Sequence, residues 1–132
     1  MKNLVLATIG FFLCASGTPD LHAQQPPRTL LRADLAGVPD PEIIIQAVDI
    51  PPGGATPWHI HPGGHEIAFV LEGETAAEIE GEAARSARSG ELIHVLPNVP
   101  HMGRNSSNAA PLRLLVIRIK DKAQPLMVPV KR

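Results

Sequence analysis

Eleven glycines and fourteen prolines punctuate this chain of 132 residues, and beyond residue 23 the apolar runs between them are short. Proline fixes φ and removes a backbone donor, while glycine admits φ > 0, so each cluster of the two ends a regular element. The segment Glu42–Ile50 (EIIIQAVDI) is rich in β-branched residues and stops at Pro51-Pro52-Gly53-Gly54, a combination that forces a turn. Further strands are predicted over Thr56–His61, Glu66–Glu72, Thr75–Glu80, Ala83–Ser89, Glu91–Leu96, His101–Asn105 and Leu112–Lys120. None of them carries an apolar stripe of period 3.6, so one all-β domain, an antiparallel sandwich or barrel, is expected.

Twelve Lys and Arg stand against thirteen Asp and Glu, and this near-neutral balance disfavours a nucleic-acid binder. Met1-Lys2-Asn3 precedes the apolar run Leu4–Ala15, which gives way to small and polar residues. The layout is that of a secretory signal peptide over residues 1–23, cleaved after Ala23 or after Gly17. The run is too short for a bilayer span, so a secreted or periplasmic protein without a stable membrane anchor is expected. Cys14 is the sole cysteine and lies within that run, so the mature chain is expected to rely on core packing and a bound metal rather than on disulfides. Residues 24–40, opening with Gln24-Gln25-Pro26-Pro27, are read as a Pro-rich connector and N-terminal segment, and residues 41–132 as the barrel.

Five histidines stand within the predicted domain, at 59, 61, 65, 94 and 101. Residues i and i+2 of a strand share a face, so His59 and His61 can aim at one point. Glu66 begins the next strand after the turn Pro62-Gly63-Gly64, and His101 follows a second rigid turn at Pro97-Asn98-Val99-Pro100. Three imidazoles and a carboxylate form a mixed N/O set suited to Fe, Mn, Co, Ni, Cu or Zn, with up to two positions open on an octahedral ion. Calcium, which prefers an all-oxygen shell, is a poor match.

The run Gly53-x5-His59-x-His61-x4-Glu66-x6-Gly73 resembles the first motif of the cupin superfamily, and Gly90-x10-His101-x3-Asn105 resembles the second. The second departs in its middle, where the proline falls one place late at Pro97 and Val99 stands close to the place of the usual glycine. The resemblance implies a small jelly-roll barrel with one divalent transition metal, of Fe, Mn, Ni, Cu or Zn, held by His59, His61, Glu66 and His101. It also implies an exported, metal-dependent oxidoreductase of dioxygenase or oxidase type acting on a small oxygen-bearing substrate. Glu66 would be a ligand throughout or a base. A non-catalytic module binding a small ligand or a metal, and a metal-dependent isomerase or lyase, are the alternatives.

Asn105 is a candidate to orient a ligand histidine from behind or to cap the following turn. His65 is adjacent to Glu66 and should face the other way, which makes it an exposed loop residue or a proton shuttle at the mouth. His94, among apolar neighbours, is expected to be structural. Arg104 and Arg118 are candidates to contact an anionic substrate, but a lone arginine on a strand usually extends its head to water, so a surface position is expected for both. Glu78, Glu80 and Glu82 are expected to face Arg85 and Arg88 across a hairpin. On the Glu66 strand, Ala68 and Val70 share the ligand's face, while Ile67, Phe69 and Leu71 form an apolar outer face to be covered by Glu42–Ile50 or by a second subunit in a homodimer.

Overall fold

The computed structural model describes residues 24–132, and among them every regular element is a strand. These are β1 (Arg28–Asp34), β2 (Pro41–Ile50), β3 (His59–Ile60), β4 (His65–Glu72), β5 (Glu74–Ile79), β6 (Arg85–Arg88), β7 (Leu92–Val95), β8 (His101–Asn105), β9 (Leu112–Asp121) and β10 (Val128–Pro129). They form two five-stranded antiparallel sheets, ordered β1-β2-β9-β4-β7 and β10-β3-β8-β5-β6. The architecture is the all-β jelly-roll expected from the sequence. The predicted signal peptide and Cys14 lie outside the described residues. Among the described residues no helix is long and apolar enough to cross a membrane.

The spine of the first sheet is an unbroken ladder between β2 and β9, running from Pro41 opposite Asp121 to Ile50 opposite Leu112. Period-2 alternation sends Ile44, Gln46, Val48 and Ile50 inward from β2, and Leu112, Leu114, Val116, Arg118 and Lys120 from β9. Because residues opposed in register share a face, the interior is built in rows. At one end Val48, Leu114 and Val70 lie side by side in hydrocarbon; two rows on come Ile44, Arg118 and Glu66; beyond them Glu42 faces Lys120. The core closes on Ile79, Ala87 and Ile93 from the other strands. The gradient from apolar to polar along one barrel axis is what places a chemical site at one end.

The joins behave as turn chemistry requires. Gly73, between β4 and β5, has φ +89°, and a Cβ there would meet the Pro111 carbonyl oxygen at 3.1 Å, so only glycine fits. Asn98, in the second rigid turn, also takes a positive φ of 63°.

Two expectations are corrected. The Glu42–Ile50 strand does not cover the outer face of β4; it lies in the same sheet with β9 between, so that Ile45, Ile117 and Ile67 continue one apolar outer face. Of the hairpin acids, Glu82 pairs with Arg85 at 3.5 Å as expected, but Glu78 meets Arg104 and Arg132, because register sets Ala77 opposite Arg85 and Glu74 opposite Arg88. Strand β1, in the segment that precedes the barrel, pairs with β2 from Arg28 opposite Ala47 to Asp34 opposite Glu42.

Candidate metal centre

Strand pairing brings the histidines together. His59 on β3 lies directly opposite His101 on β8, and His61 follows β3 by one residue. Glu66 is the second residue of β4, in the facing sheet, so the four side chains converge from opposite walls of the barrel. The two turns that deliver them are stitched by Asn98: its side-chain oxygen accepts from Gly63 N at 3.1 Å and its own N–H donates to the His61 carbonyl at 3.1 Å. This residue fixes the loop before His101 against the loop after His61.

All four side chains are buried, and one donor atom from each lies within 4.8 Å of every other. Each imidazole is oriented by a backbone carbonyl on its Nδ1: Pro57 for His59, Leu126 for His61 and Val99 for His101. A carbonyl only accepts, so Nδ1 carries the proton and each neutral ring turns its Nε2 lone pair to the centre. The Nε2 of His101 is buried without a hydrogen-bond partner. His61 Nε2 and Glu66 Oε2 approach to 2.7 Å. Four convergent buried donors, two of whose atoms lack a hydrogen bond, could hold a cation between them, and three imidazoles with a carboxylate fit a transition-metal ion that keeps open positions.

The electrostatics agree. Burial pushes the His59 imidazole down to about 4, more than the Pro57 carbonyl and the Glu66 carboxylate restore, so the ring is neutral and able to ligate at neutral pH. Burial alone would raise the Glu66 carboxyl, but contacts with the His101 and His61 rings and the Arg118 guanidinium outweigh it and hold the group well below the usual carboxylate range.

Arg118 corrects another expectation. Alternation on β9 turns it inward, opposite Glu66, where its side chain is 11% exposed. Its Nη2 lies 2.8 Å from Glu66 Oε2, close enough for charge pairing but off the hydrogen-bonding direction, so that oxygen remains without a hydrogen bond. Its Nε–H points at His61 Nε2 at 3.4 Å, and its Nη1 donates to Gln46 Oε1. Residue type alone had assigned it to the surface; its inward phase with Leu112, Leu114 and Val116 was the signal that places it inside. Beside these groups lies a cavity of about 220 Å³, reached by His59, Glu66, His101 and Arg118 and walled by Val48, Ala68, Ile93, Leu114 and Val116.

The Cupin domain family matches residues 46–118, more than half of the chain. The chain is a cupin. It is 29% identical over 85 residues to germin-like protein subfamily 2 member 4 of Arabidopsis thaliana, an alignment covering 61% of this chain and 39% of that protein. The cupin thus spans about two fifths of the length of that curated relative. Among solved structures it resembles an oxalate oxidase in complex with the substrate analogue glycolate, with a TM-score of 0.61, 25% identity, and coverage of 86% of this chain and 57% of the other. It also resembles a DMSP lyase from Ruegeria pomeroyi, with a TM-score of 0.58, 25% identity, and coverage of 67% and 43%.

The remaining candidate residues of the cupin fall elsewhere. His65 lies on the outer face of β4, its Nδ1 3.0 Å from His94 Nε2, with the two rings stacked at 5.2 Å between centroids. It is on the far side of the sheet from the four converging groups, as the alternation with Glu66 demands. Asn105 is buried and spends its side chain on loops: Nδ2 reaches the carbonyls of Ile50, Pro51 and Ala110, and Oδ1 accepts from Ser107 N. These bonds cap the turn rather than orient an imidazole, which is held instead by backbone carbonyls that no residue-type pattern reveals.

Proposed function

We propose that this cupin is a mononuclear-metal enzyme of oxidoreductase type, in which His59, His61, Glu66 and His101 hold one divalent transition ion and a small oxygen-bearing substrate enters the adjoining cavity. The convergence of three Nε2 lone pairs and one carboxylate at the polar end of an otherwise apolar barrel carries this reading. The likeness to an oxalate oxidase over most of the chain supports it. When bound, the ion supplies Lewis acidity and a template for substrate oxygen atoms. The Nδ1–carbonyl bonds fix three rings before any ligand arrives. Glu66, buried and anionic, is the candidate base as well as a ligand.

The chain is read as exported, with residues 1–23 removed, and as a homodimer joined through the apolar outer face that Ile45, Ile117 and Ile67 build. Light scattering that gave a monomer mass at micromolar concentration would remove the dimer.

The likeness to a DMSP lyase favours a second reading, a metal-dependent lyase or isomerase on the same four groups. Elemental analysis and electron paramagnetic resonance of the purified protein, followed by turnover with and without O₂, test both. About one Fe, Mn, Ni or Cu per chain with O₂-dependent turnover is the expected result. Anaerobic turnover would select the lyase or isomerase, tight ligand binding without turnover would select a non-catalytic module, and a folded chain that takes up no metal would reject both enzyme readings in favour of a non-catalytic small-ligand module.

A further inference from the structure

Among the described residues two cations of β9 turn inward: Lys120, which is paired with Glu42, and Arg118, which stands beside the four converging groups. We propose that Arg118 is the specificity-determining residue of this site, selecting a small carboxylate anion over its neutral isosteres. The proposal rests on the metal reading above and adds to it the charge of the ligand.

Charge balance favours an anion. Three neutral imidazoles, the Glu66 carboxylate and the Arg118 guanidinium sum to zero; with a divalent ion among them the set carries +2. The cavity wall is hydrocarbon from Val48, Ile50, Ala68, Ile93, Leu114 and Val116, and supplies no compensating anion. Uncompensated charge in such surroundings is costly, and a ligand that brings negative charge relieves it. Glu42, the other acid on the inner face, is already committed to Lys120 and Arg32.

The geometry favours a carboxylate. The guanidinium is held from behind, where Nη1 donates to Gln46 Oε1 and Gln46 Nε2 in turn reaches Thr29 Oγ1 at 3.3 Å. Its Nη2 and Nε point to Glu66 Oε2 and His61 Nε2, the two atoms that an ion would engage. A planar fork with parallel donors matches the two oxygens of a carboxylate, which a neutral amide cannot satisfy in the same way. The cavity favours a small anion, since about 220 Å³ lies below the roughly 300–1,000 Å³ of pockets for drug-sized ligands.

The test is calorimetric titration of the zinc-loaded protein with malonate, malonamide and inorganic phosphate, after elemental analysis of each sample. Wild type is expected to bind malonate about 10-fold or more tighter than malonamide, and Arg118→Gln to keep its zinc while losing malonate affinity by about 10- to 100-fold and most of the acid-over-amide preference. Arg118→Lys, which keeps the charge without the fork, is expected to fall between them and serves where Arg118→Gln does not fold. Malonate affinity within twofold of wild type in either folded variant would overturn the proposal, as would phosphate binding tighter than malonate. Loss of zinc from folded Arg118→Gln would make the residue a support for Glu66 and overturn the proposal alone. A folded wild-type chain that takes up no zinc or other transition metal would overturn the metal reading together with it.

Discussion

His59 and His101 face one another across the β3–β8 pair, in register, with ring centroids 4.2 Å apart. Each ring is tethered on Nδ1 by a carbonyl two residues upstream in its own loop, Pro57 and Val99 respectively, so neither can turn away to take a proton donor elsewhere. His59→Ala and His101→Ala are each expected to reduce metal content from about one ion per chain toward none, because a tridentate remnant holds an ion far less well. Elemental analysis after gel filtration checks this, and full occupancy in both variants would remove them from the ligand set.

The outer histidine pair serves as the control. His65→Ala breaks the contact with His94 on the far face of β4 and touches none of the four converging groups. Metal content is expected to be unchanged and stability to shift by no more than about 0.5 kcal/mol, as for most surface substitutions. A large loss of metal in this variant would mean that the wrong neighbour of the pair His65–Glu66 had been assigned.

Asn105 separates a structural role from a chemical one. Removing its side chain orphans carbonyls of Ile50, Pro51 and Ala110 and the N–H of Ser107. Asn105→Ala is therefore expected to cost about 3 kcal/mol in denaturant unfolding while leaving metal stoichiometry intact. Metal loss at unchanged stability would point instead to a role behind the ligands.

Glu42 and Lys120 form a buried pair at the polar end, with Lys120 Nζ 3.1 Å from Glu42 Oε1 and Arg32 Nη1 2.8 Å from both carboxylate oxygens. Burial opposes ionisation of Glu42, but the bonds from Lys120 and Arg32 prevail and lower its pKa below 4.5. A carboxyl depressed in the folded state stabilises the fold above its unfolded value, and that contribution drains away as pH falls through the folded value. Stability is thus expected to drop below about pH 4.5 through this group, with Glu42→Gln showing a flatter acid limb. The same substitution leaves Lys120 buried without its counter-charge and is expected to cost about 3–5 kcal/mol at pH 7 by chemical denaturation. An unchanged midpoint in Glu42→Gln would show that the pair contributes nothing.

Local signals carried much of this molecule. Strand ends fell where proline and glycine fixed the backbone, and the spacing of His59, His61, Glu66 and His101 already placed them on converging elements. Partner order is non-local and was not legible: nothing in EIIIQAVDI says that β9, seventy residues later, will lie between it and β4. Arg118 was misread because its residue type was weighed above its phase on the strand. The short edge strand β10 escaped notice because Pro125 and Pro129 break up its run, and with it went the carbonyl that orients His61. Backbone groups have no sequence signature, so the supports behind the imidazoles could be seen only in three dimensions.

That carbonyl belongs to Leu126, sixty-five residues after the ring it holds. The segment that carries it docks through Val128 opposite Ile60, Val130 N to the Trp58 carbonyl and the Arg132 guanidinium 4.0 Å over the Trp58 ring. During synthesis the chain presents His59, His61, Glu66 and His101 well before this tether exists. Until residues 126–132 dock, His61 would lack the carbonyl that aims its ring, so this segment, remote in sequence, sets the geometry in which the four groups would hold an ion.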